Sequence, residues 1–490
     1  MADPPVPGEA DQQYRPGDTA RLYHRLSSFT YVAGAGWPYQ PADHPLVLQD
    51  FAPNHRPTFP AHRKQYPEDL AVVELPSDWP RVAVPALAVL AGQPGPPPVP
   101  LDLAGVARLL FLSAGVVRTA VRRDGRVFLF RPAGSAGGLF PIELYVVAKG
   151  ITGLADGVHW YDPLDHALRQ VGPAPTGEAS AIVVTGIPWR TAWRYSERAF
   201  RHLYWDGGTM LANLLAVAES AGWSPRLWTR FPDATVARLV GADGTQEFPL
   251  AVVALGSGGP AIDATGPARS GKIDVAPVEF PLITAAQRAG DQDDLGPPWP
   301  PIPVLDHAPV PSDDLDAVIL RRGSARQFVA SAAVPRDVVT TTLTCGLNGA
   351  PVAHLVAVHA VEGIAPGIYA WPELGRPIRS GLLRRELWAV CDEQDLCRDA
   401  AFVAMAVVDL ETLDDRGYRE AQLAAGIAEG RLHLAAYALG IGASGMTFDD
   451  SELPALFGLP LAGLLFTCLG VTGRRTPRAG TPRHPTDVTR

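Results

Sequence analysis

The sequence predicts an α+β protein built from two tandem copies of one unit, packed as an intrachain pseudo-dimer about an approximate two-fold axis. Three observations predict it. The chain has 490 residues, 47% hydrophobic and 19% charged, which is too long for one ordinary domain and apolar enough for more than one core. Proline- and glycine-rich connectors divide it, because such segments block both helix and ladder hydrogen bonding. Finally, the chain repeats itself. VVAKGITGLADGVHWY at 146–161 aligns without a gap on AVHAVEGIAPGIYAW at 357–371, with Gly153 on Gly363 and Gly157 on Gly367, both 210 residues apart. LLAVAESAGW at 214–223 matches LHLAAYALGI at 432–441, with Gly222 on Gly440.

Taken in order, residues 1–20 are acidic and proline-rich and read as a disordered N-terminus, with neither the basic nor the apolar region of a signal peptide. Residues 21–100 form an N-terminal extension that ends on the connector GQPGPPPVP. Residues 101–256 are the first domain, 257–314 a Pro/Gly-rich linker, 315–475 the second domain and 476–490 a disordered tail. Within each domain a half-buried strand, a glycine turn, a long amphipathic helix and a last strand succeed one another, closing on VVALG at Gly256 and FTCLG at Gly470. Leu211, Leu214, Leu215 and Ala218 fall on one helical face that ends at Gly222, a core stripe with a C-terminal glycine.

Charge and composition exclude several functions. A net charge of -9 argues against a general nucleic-acid binder, which needs a basic surface to displace phosphate counterions. The longest apolar run, AAFVAMAVV from Ala400, is shorter than the ~20 residues a membrane span requires. A cytoplasmic protein with no membrane partner is expected. Cys345, Cys391, Cys397 and Cys468 include no CxxC pair and read as buried thiols, and no metal site is indicated. GSGG at 256 lacks the third glycine of a dinucleotide fingerprint, and GSAGG around Ser135 lacks the spacing of a hydrolase elbow.

Chemistry concentrates in a few stretches. RRGSARQF from Arg321 surrounds one serine with three arginines. RPAGSAGGLFPIELYVV from Arg131 is followed by HWYDPLDHAL and RYSERAFRHLYWDGG, and preceded by YHRLSSF at 23 and HRKQYPEDLAVVELP at 62. In these motifs, taken together from about Tyr23 to Arg475, the chain resembles the nitroreductase superfamily, and within it the SagB-type dehydrogenases that oxidise azoline rings of ribosomal peptides to azoles.

The resemblance implies FMN at an interface between two such units, one supplying an R-x-S-x-R phosphate grip and the other a Ser/Gly loop. Arg322, Ser324 and Arg326 match the grip, since a phosphate takes forked guanidinium donors and a short hydroxyl. Ser135, Gly137 and Gly138 match the loop. Each repeat lacks the other half. VPRD at 334 aligns with VPLD at 99, an offset of 235 that sends the grip onto Leu87, Val89 and Ala91. The offset of 210 sends Ser135 onto Cys345 and Gly137 onto Leu347. One composite FMN site per chain is therefore expected. Gly442 and Ala443 of GIGASG resemble the loop whose N–H groups stabilise the reduced ring, and also read as a helix cap and its turn. Arg474, with Arg475 beside it, stands where the superfamily often adds a phosphate ligand.

For catalysis the resemblance points to Arg194 and Tyr195, where SagB-type enzymes carry Lys-Tyr. Arginine stays protonated and cannot be the base. Tyr195 is expected to accept the proton, its pKa lowered from about 10 by Arg194. The implied partners are a modified precursor peptide and a cyclodehydratase, with oxygen taking the electrons. An NAD(P)H-dependent nitro or quinone reductase and a non-catalytic scaffold stand as alternatives.

Overall fold

A computed structural model describes residues 15–29, 41–306 and 311–489; residues 1–14, expected to be disordered, lie outside them. The N-terminal region contributes α1 (Asp18–Leu26), β1 (Val72–Glu74) and α2 (Ala86–Leu90). It is pinned to the first repeat by Lys64, whose buried ammonium donates to Tyr145 Oη at 2.6 Å and pairs with Glu247 at 2.5 Å. The first half then runs α3 (Leu103–Ala114), the hairpin β2 (Arg118–Val121) and β3 (Val127–Phe130), β4 (Ile142–Ala148), β5 (Gly157–Asp162), β6 (Ala167–Gly172), β7 (Pro175–Thr176), β8 (Ala181–Gly186), α4 (Pro188–Tyr195), α5 (Ala199–Ser220), β9 (Arg226–Trp228), α6 (Asp233–Val240) and β10 (Phe248–Ala254). After β11 (Asp263–Ala264) and α7 (Pro281–Ala289) the second half runs α8 (Leu315–Arg321), α9 (Arg336–Gly346), β12 (Ala353–Val358), β13 (Gly367–Ala370), β14 (Arg379–Ser380), α10 (Arg384–Val390), α11 (Asp395–Asp399), β15 (Phe402–Val408), α12 (Asp415–Ala438), β16 (Gly442–Met446), α13 (Leu453–Phe457) and β17 (Ala462–Gly470), with β18 (Thr486–Asp487) last.

The strand order of the two main sheets repeats. The first is β1-β6-β5-β4-β8-β10-β9 and the second β14-β13-β12-β15-β17-β16. Apart from β1 the two are the same path through the same kinds of element. Both sheets are covered on both faces, which is why their central strands read as apolar runs without a polar face. Ile142, Leu144 and Val146 enter one core while Tyr145 and Val147 enter another, as the period of two requires. Leu355 and Ala357 part from Val356 and Val358 in the same way.

The two halves meet along α5 and α12. A Cβ on Gly208 would stand 2.4 Å from Leu423 O, and one on Gly426 would stand 2.4 Å from Trp205 O. Gly208 and Gly426 are 218 residues apart, as are Trp205 and Leu423, and as are Gly222 and Gly440. The contact is thus reciprocal, and only glycine permits so close a backbone crossing. Buried charges lock it. Arg201 of α5 donates to Asp450 Oδ1 at 2.7 Å, Arg198 takes the other oxygen, and Arg416 of α12 pairs with Asp233 at 2.7 Å.

Three expectations about order are corrected. Residues 15–20 of the expected disordered N-terminus run into α1, where Ala20 N donates to Asp415 Oδ1 at 2.7 Å. Residues 257–314 hold a helix: Pro281 starts α7 at a position where its missing N–H costs nothing, and Leu282, Ile283 and Ala286 are buried. The expected disordered tail instead clasps the first half. Gly480 N donates to Val117 O at 2.8 Å, β18 pairs parallel to β2, and Arg483 reaches Leu75 O at 2.9 Å. The edge of β2 offers unpaired backbone groups, and the tail takes them up. All four cysteines are free and buried. Among the described residues no helix is long and apolar enough to cross a membrane, and no group of three or more His, Cys, Asp or Glu could hold a metal.

Candidate functional site

The arginine-serine stretch leaves α8 and runs beside β16. Ser324 pairs with Ala443, and Ala325 N donates to Ala443 O at 2.8 Å. Further on Phe328 pairs with Thr472, and Gly473 N donates to Gln327 O at 3.1 Å. These bonds bring Arg322, Ser324, Arg326, Gly442, Ala443 and Arg474 into one neighbourhood. Arg322 is buried, at 4% exposure, whereas Arg326 and Arg474 are exposed. Gly442 and Ala443 differ from the expected free loop. Ala443 is built into the ladder between Leu469 and Ser324, so its backbone positions the serine.

The glycine-rich loop, residues 131–141, approaches from the first half. Gly137 and Gly138 take positive φ, 63° and 69°, which glycine adopts without strain. A Cβ on Gly134 would meet Arg322 Nη1 at 3.5 Å, so the loop and the arginine of the other half face each other. A Cβ on Gly137 would meet Tyr195 Oη at 3.2 Å and Arg194 Nη1 at 3.4 Å. Loop, arginine and the Arg194-Tyr195 pair therefore share one site between the halves. The counterpart positions are filled with core: Leu87, Val89, Ala91, Cys345 and Leu347 are buried.

Four further polar residues complete the site; Asp206 and His433 fall inside the stretches RYSERAFRHLYWDGG and LHLAAYALGI without having been given a role, and Thr209 and Glu429 fall in none. Asp206 Oδ2 accepts from Ser135 Oγ at 2.5 Å and its Oδ1 accepts from Ala136 N at 2.9 Å, while Phe140 N donates to Ser135 Oγ at 2.9 Å. Glu429 accepts from Thr209 Oγ1 at 2.6 Å and pairs with His433 at 2.8 Å; His433 Nδ1 in turn lies 3.3 Å from Arg322 Nη1. Their signal was polar residues at helical spacing, 206 with 209 and 429 with 433, on the buried faces of α5 and α12. A cavity of about 20 Å³, lined by Ser113, Arg131, Ser135, Asp206 and apolar neighbours, adjoins the loop. It has room for about one water.

The electrostatics move Tyr195 and Asp206 in opposite senses relative to neutral pH. Burial pushes the Tyr195 phenol up to about 12, with Arg194 opposing and losing. Tyr195 and Arg194 are both half-buried, and the ring stacks 4.1 Å from His202; its loss of solvent still outweighs the one guanidinium, so the expectation that Arg194 would lower the phenol is corrected. Asp206 moves the opposite way from a salt-bridged acid. Burial pushes its carboxyl up to about 7, only partly opposed by the bonds from Ser135 and Ala136, with Glu429 adding to the rise. Asp206 is thus poised to exchange a proton near neutral pH.

Known proteins share this architecture. No protein-family model matches the chain. A curated nitroreductase of Methanocaldococcus jannaschii is 25% identical over 172 residues, 32% of this chain and 81% of that protein. The microcin B17-processing protein McbC of Escherichia coli is 28% identical over 142 residues, 25% of this chain and 52% of McbC, so the chain spans about half of that relative. A crystal structure of a nitroreductase from Anabaena variabilis superposes with a TM-score of 0.71 at 24% identity, covering 93% of this chain and 99% of that one. The chain has an α+β nitroreductase-like fold. Its halves are arranged in tandem.

Proposed function

We propose that the protein is an FMN-dependent oxidoreductase that oxidises azoline rings in a ribosomally made peptide to azoles, with one FMN per chain held between the halves of an intrachain pseudo-dimer. The observation that carries this reading is the meeting of Arg322 from the second half with the Gly134–Ser135 loop of the first, while the opposite site is packed with apolar side chains. The donor set suits a flavin phosphate. Arg322 is buried, its Nε has no hydrogen bond among the described residues, and burial pulls its guanidinium down from the usual arginine range, so an anion there would be stabilised. Ser324, Arg326 and Arg474 extend the same strip outward to solvent. Bound FMN would supply the two-electron acceptor.

The chain's own groups would then hold the substrate and its proton. Tyr195, protonated, donates a hydrogen bond to a ring heteroatom, and Arg194 beside it supplies positive charge. Asp206, linked to the loop through Ser135, holds the proton that ring oxidation releases. The likeness to McbC, a microcin-processing protein, supports a peptide substrate and, with it, a cyclodehydratase partner. A second reading, a small-molecule reductase fed by NAD(P)H, is favoured by the archaeal relative, of which 81% is matched.

The test is the flavin content of the purified protein, by absorbance and by release, beside an Arg322→Ala/Arg326→Ala variant. One FMN per chain, lost in the variant, is expected. Two per chain would break the composite-site argument, and none after reconstitution would leave a scaffold.

A further inference from the structure

The insertion between β14 and β15 distinguishes the halves. Eight residues, 173–180, separate β6 from β8 in the first half, whereas 381–401 carry α10 and α11 in the second. Insertions in one copy of a repeat are where specific binding surfaces arise. This one forms a cleft of about 410 Å³ lined by Arg384, Arg385, Trp388, Arg398 and Asp399.

Three of those five side chains are cationic and one is anionic, in a chain whose net charge is -9. They differ in what they are free to do. Arg384 is committed to backbone, donating to Ala330 O at 3.0 Å and Ala400 O at 3.3 Å as well as to Arg398 O. Arg398 is paired with Asp395 and Asp399, both within 2.9 Å. Arg385 is exposed and has no hydrogen bond or ion pair among the described residues. Trp388 lies one turn further on the same face of α10, half-buried, as the i, i+3 spacing places it, while Leu387 and Val390 anchor the opposite face in the core. Three solvent-exposed apolar residues adjoin groups bonded to this insertion: Val329, at 39% exposure, precedes Ala330, which accepts from Arg384; Ile378, at 46%, precedes Arg379, which pairs with Glu386; and Leu382, at 58%, lies in the insertion itself. An unpaired guanidinium beside an indole recognises a carboxylate with a hydrophobic neighbour.

The cleft is also joined to the proposed flavin site. Arg384 holds Ala330, four residues beyond Arg326, and four extended residues span at most about 14 Å. We propose that this cleft binds an acidic, hydrophobic segment of a peptide, a few residues from the ring that is oxidised. The proposal rests on the reading of the substrate as a peptide. A polyphosphate is the poorer fit, because Glu386, Asp395 and Asp399 already engage Arg379 and Arg398, and the single free arginine that remains matches a single carboxylate beside an apolar side chain.

The experiment is fluorescence anisotropy of a labelled octapeptide of Asp, Glu, Phe and Leu with the full-length protein, in parallel with a labelled oligouridylate. Arg385→Glu is expected to weaken peptide binding at least tenfold and Trp388→Ala severalfold. Arg123→Glu, an exposed charge on the β2–β3 turn, is expected to leave it unchanged. Equal peptide affinity in wild type and Arg385→Glu would overturn the proposal, as would equal losses in Arg385→Glu and Arg123→Glu. Tighter binding of the oligouridylate through Arg385 would overturn it in favour of a nucleic acid. Flavin content and thermal melting of Arg385→Glu are expected to match wild type. A flavin-free protein that still binds the peptide through Arg385 would refute the oxidoreductase reading and leave the cleft standing.

Discussion

Replacing Asp206 with asparagine should change the pH dependence of stability in a direction opposite to that of an ordinary salt-bridged acid. The folded carboxyl sits at about 7 against an ordinary value of 3.8, so between these limits the folded chain keeps a proton that the unfolded chain has released. Stability therefore falls as pH rises through that window, by about 4 kcal/mol over its full width at ~1.4 kcal/mol per unit. From pH 5 to pH 8 the wild-type protein should lose about 3 kcal/mol on account of this group. Asparagine cannot ionise and escapes that loss. It leaves an unpaired amide N–H in the buried loop, which costs about 1–3 kcal/mol at every pH. Asp206→Asn is thus expected to be the less stable protein at pH 5 and to draw level with wild type or pass it at pH 8. Urea midpoints at the two values, compared as the difference between the two proteins, cancel the titration of every other group. A difference that is the same at pH 5 and pH 8 would refute the assignment of a near-neutral carboxyl at this position.

The interface between the halves sets other outcomes. Asp450→Ala leaves Arg198 and Arg201 buried without their carboxylate and should cost about 3–5 kcal/mol in urea unfolding; a loss below about 1 kcal/mol would show that water reaches the pair. Gly426→Ala would ordinarily stabilise a helix interior by about 1 kcal/mol, yet here it should lower the melting temperature, since the new methyl would stand 2.4 Å from Trp205 O. Deleting residues 476–490 should raise amide exchange across Val117–Val121 and leave exchange in β4 and β8 unchanged; unchanged exchange at β2 would show that the clasp carries no stability.

How much of the fold and site was legible in the sequence depends on the range of the interaction. The repeat was legible because turns demand glycine locally: Gly153 and Gly363 both take positive φ, as do Gly222 and Gly440, and each pair aligns without reference to the rest of the fold. The placing of Arg322 opposite the loop at Gly134 was also within reach, since complementary loss in two repeats points to one shared place. The clasp and α7 were not, because proline-rich composition reports what a segment cannot do alone, whereas β2 and the core around Tyr204 supply partners from elsewhere in the chain.

The proton shows the same limit more sharply. A tyrosine next to an arginine in sequence suggests a lowered pKa, because adjacency fixes the charge but says nothing of the solvent. Folding removes the solvent, and for Tyr195 that loss outweighs the single neighbouring charge. The identical loss of solvent, acting on an acid at Asp206, produces the group that titrates at neutral pH. Burial thus moves the phenol away from neutrality and the carboxyl toward it, the reverse of what adjacency in sequence suggested. The second half contributes to this site through Arg322, which faces Gly134, and through Glu429, which adds to the rise at Asp206. Opening the α5–α12 crossing would readmit water, lower Asp206 toward the ordinary carboxylate range and part the loop from Arg322, so the near-neutral carboxyl and the glycine crossing at Gly208 and Gly426 should be lost together.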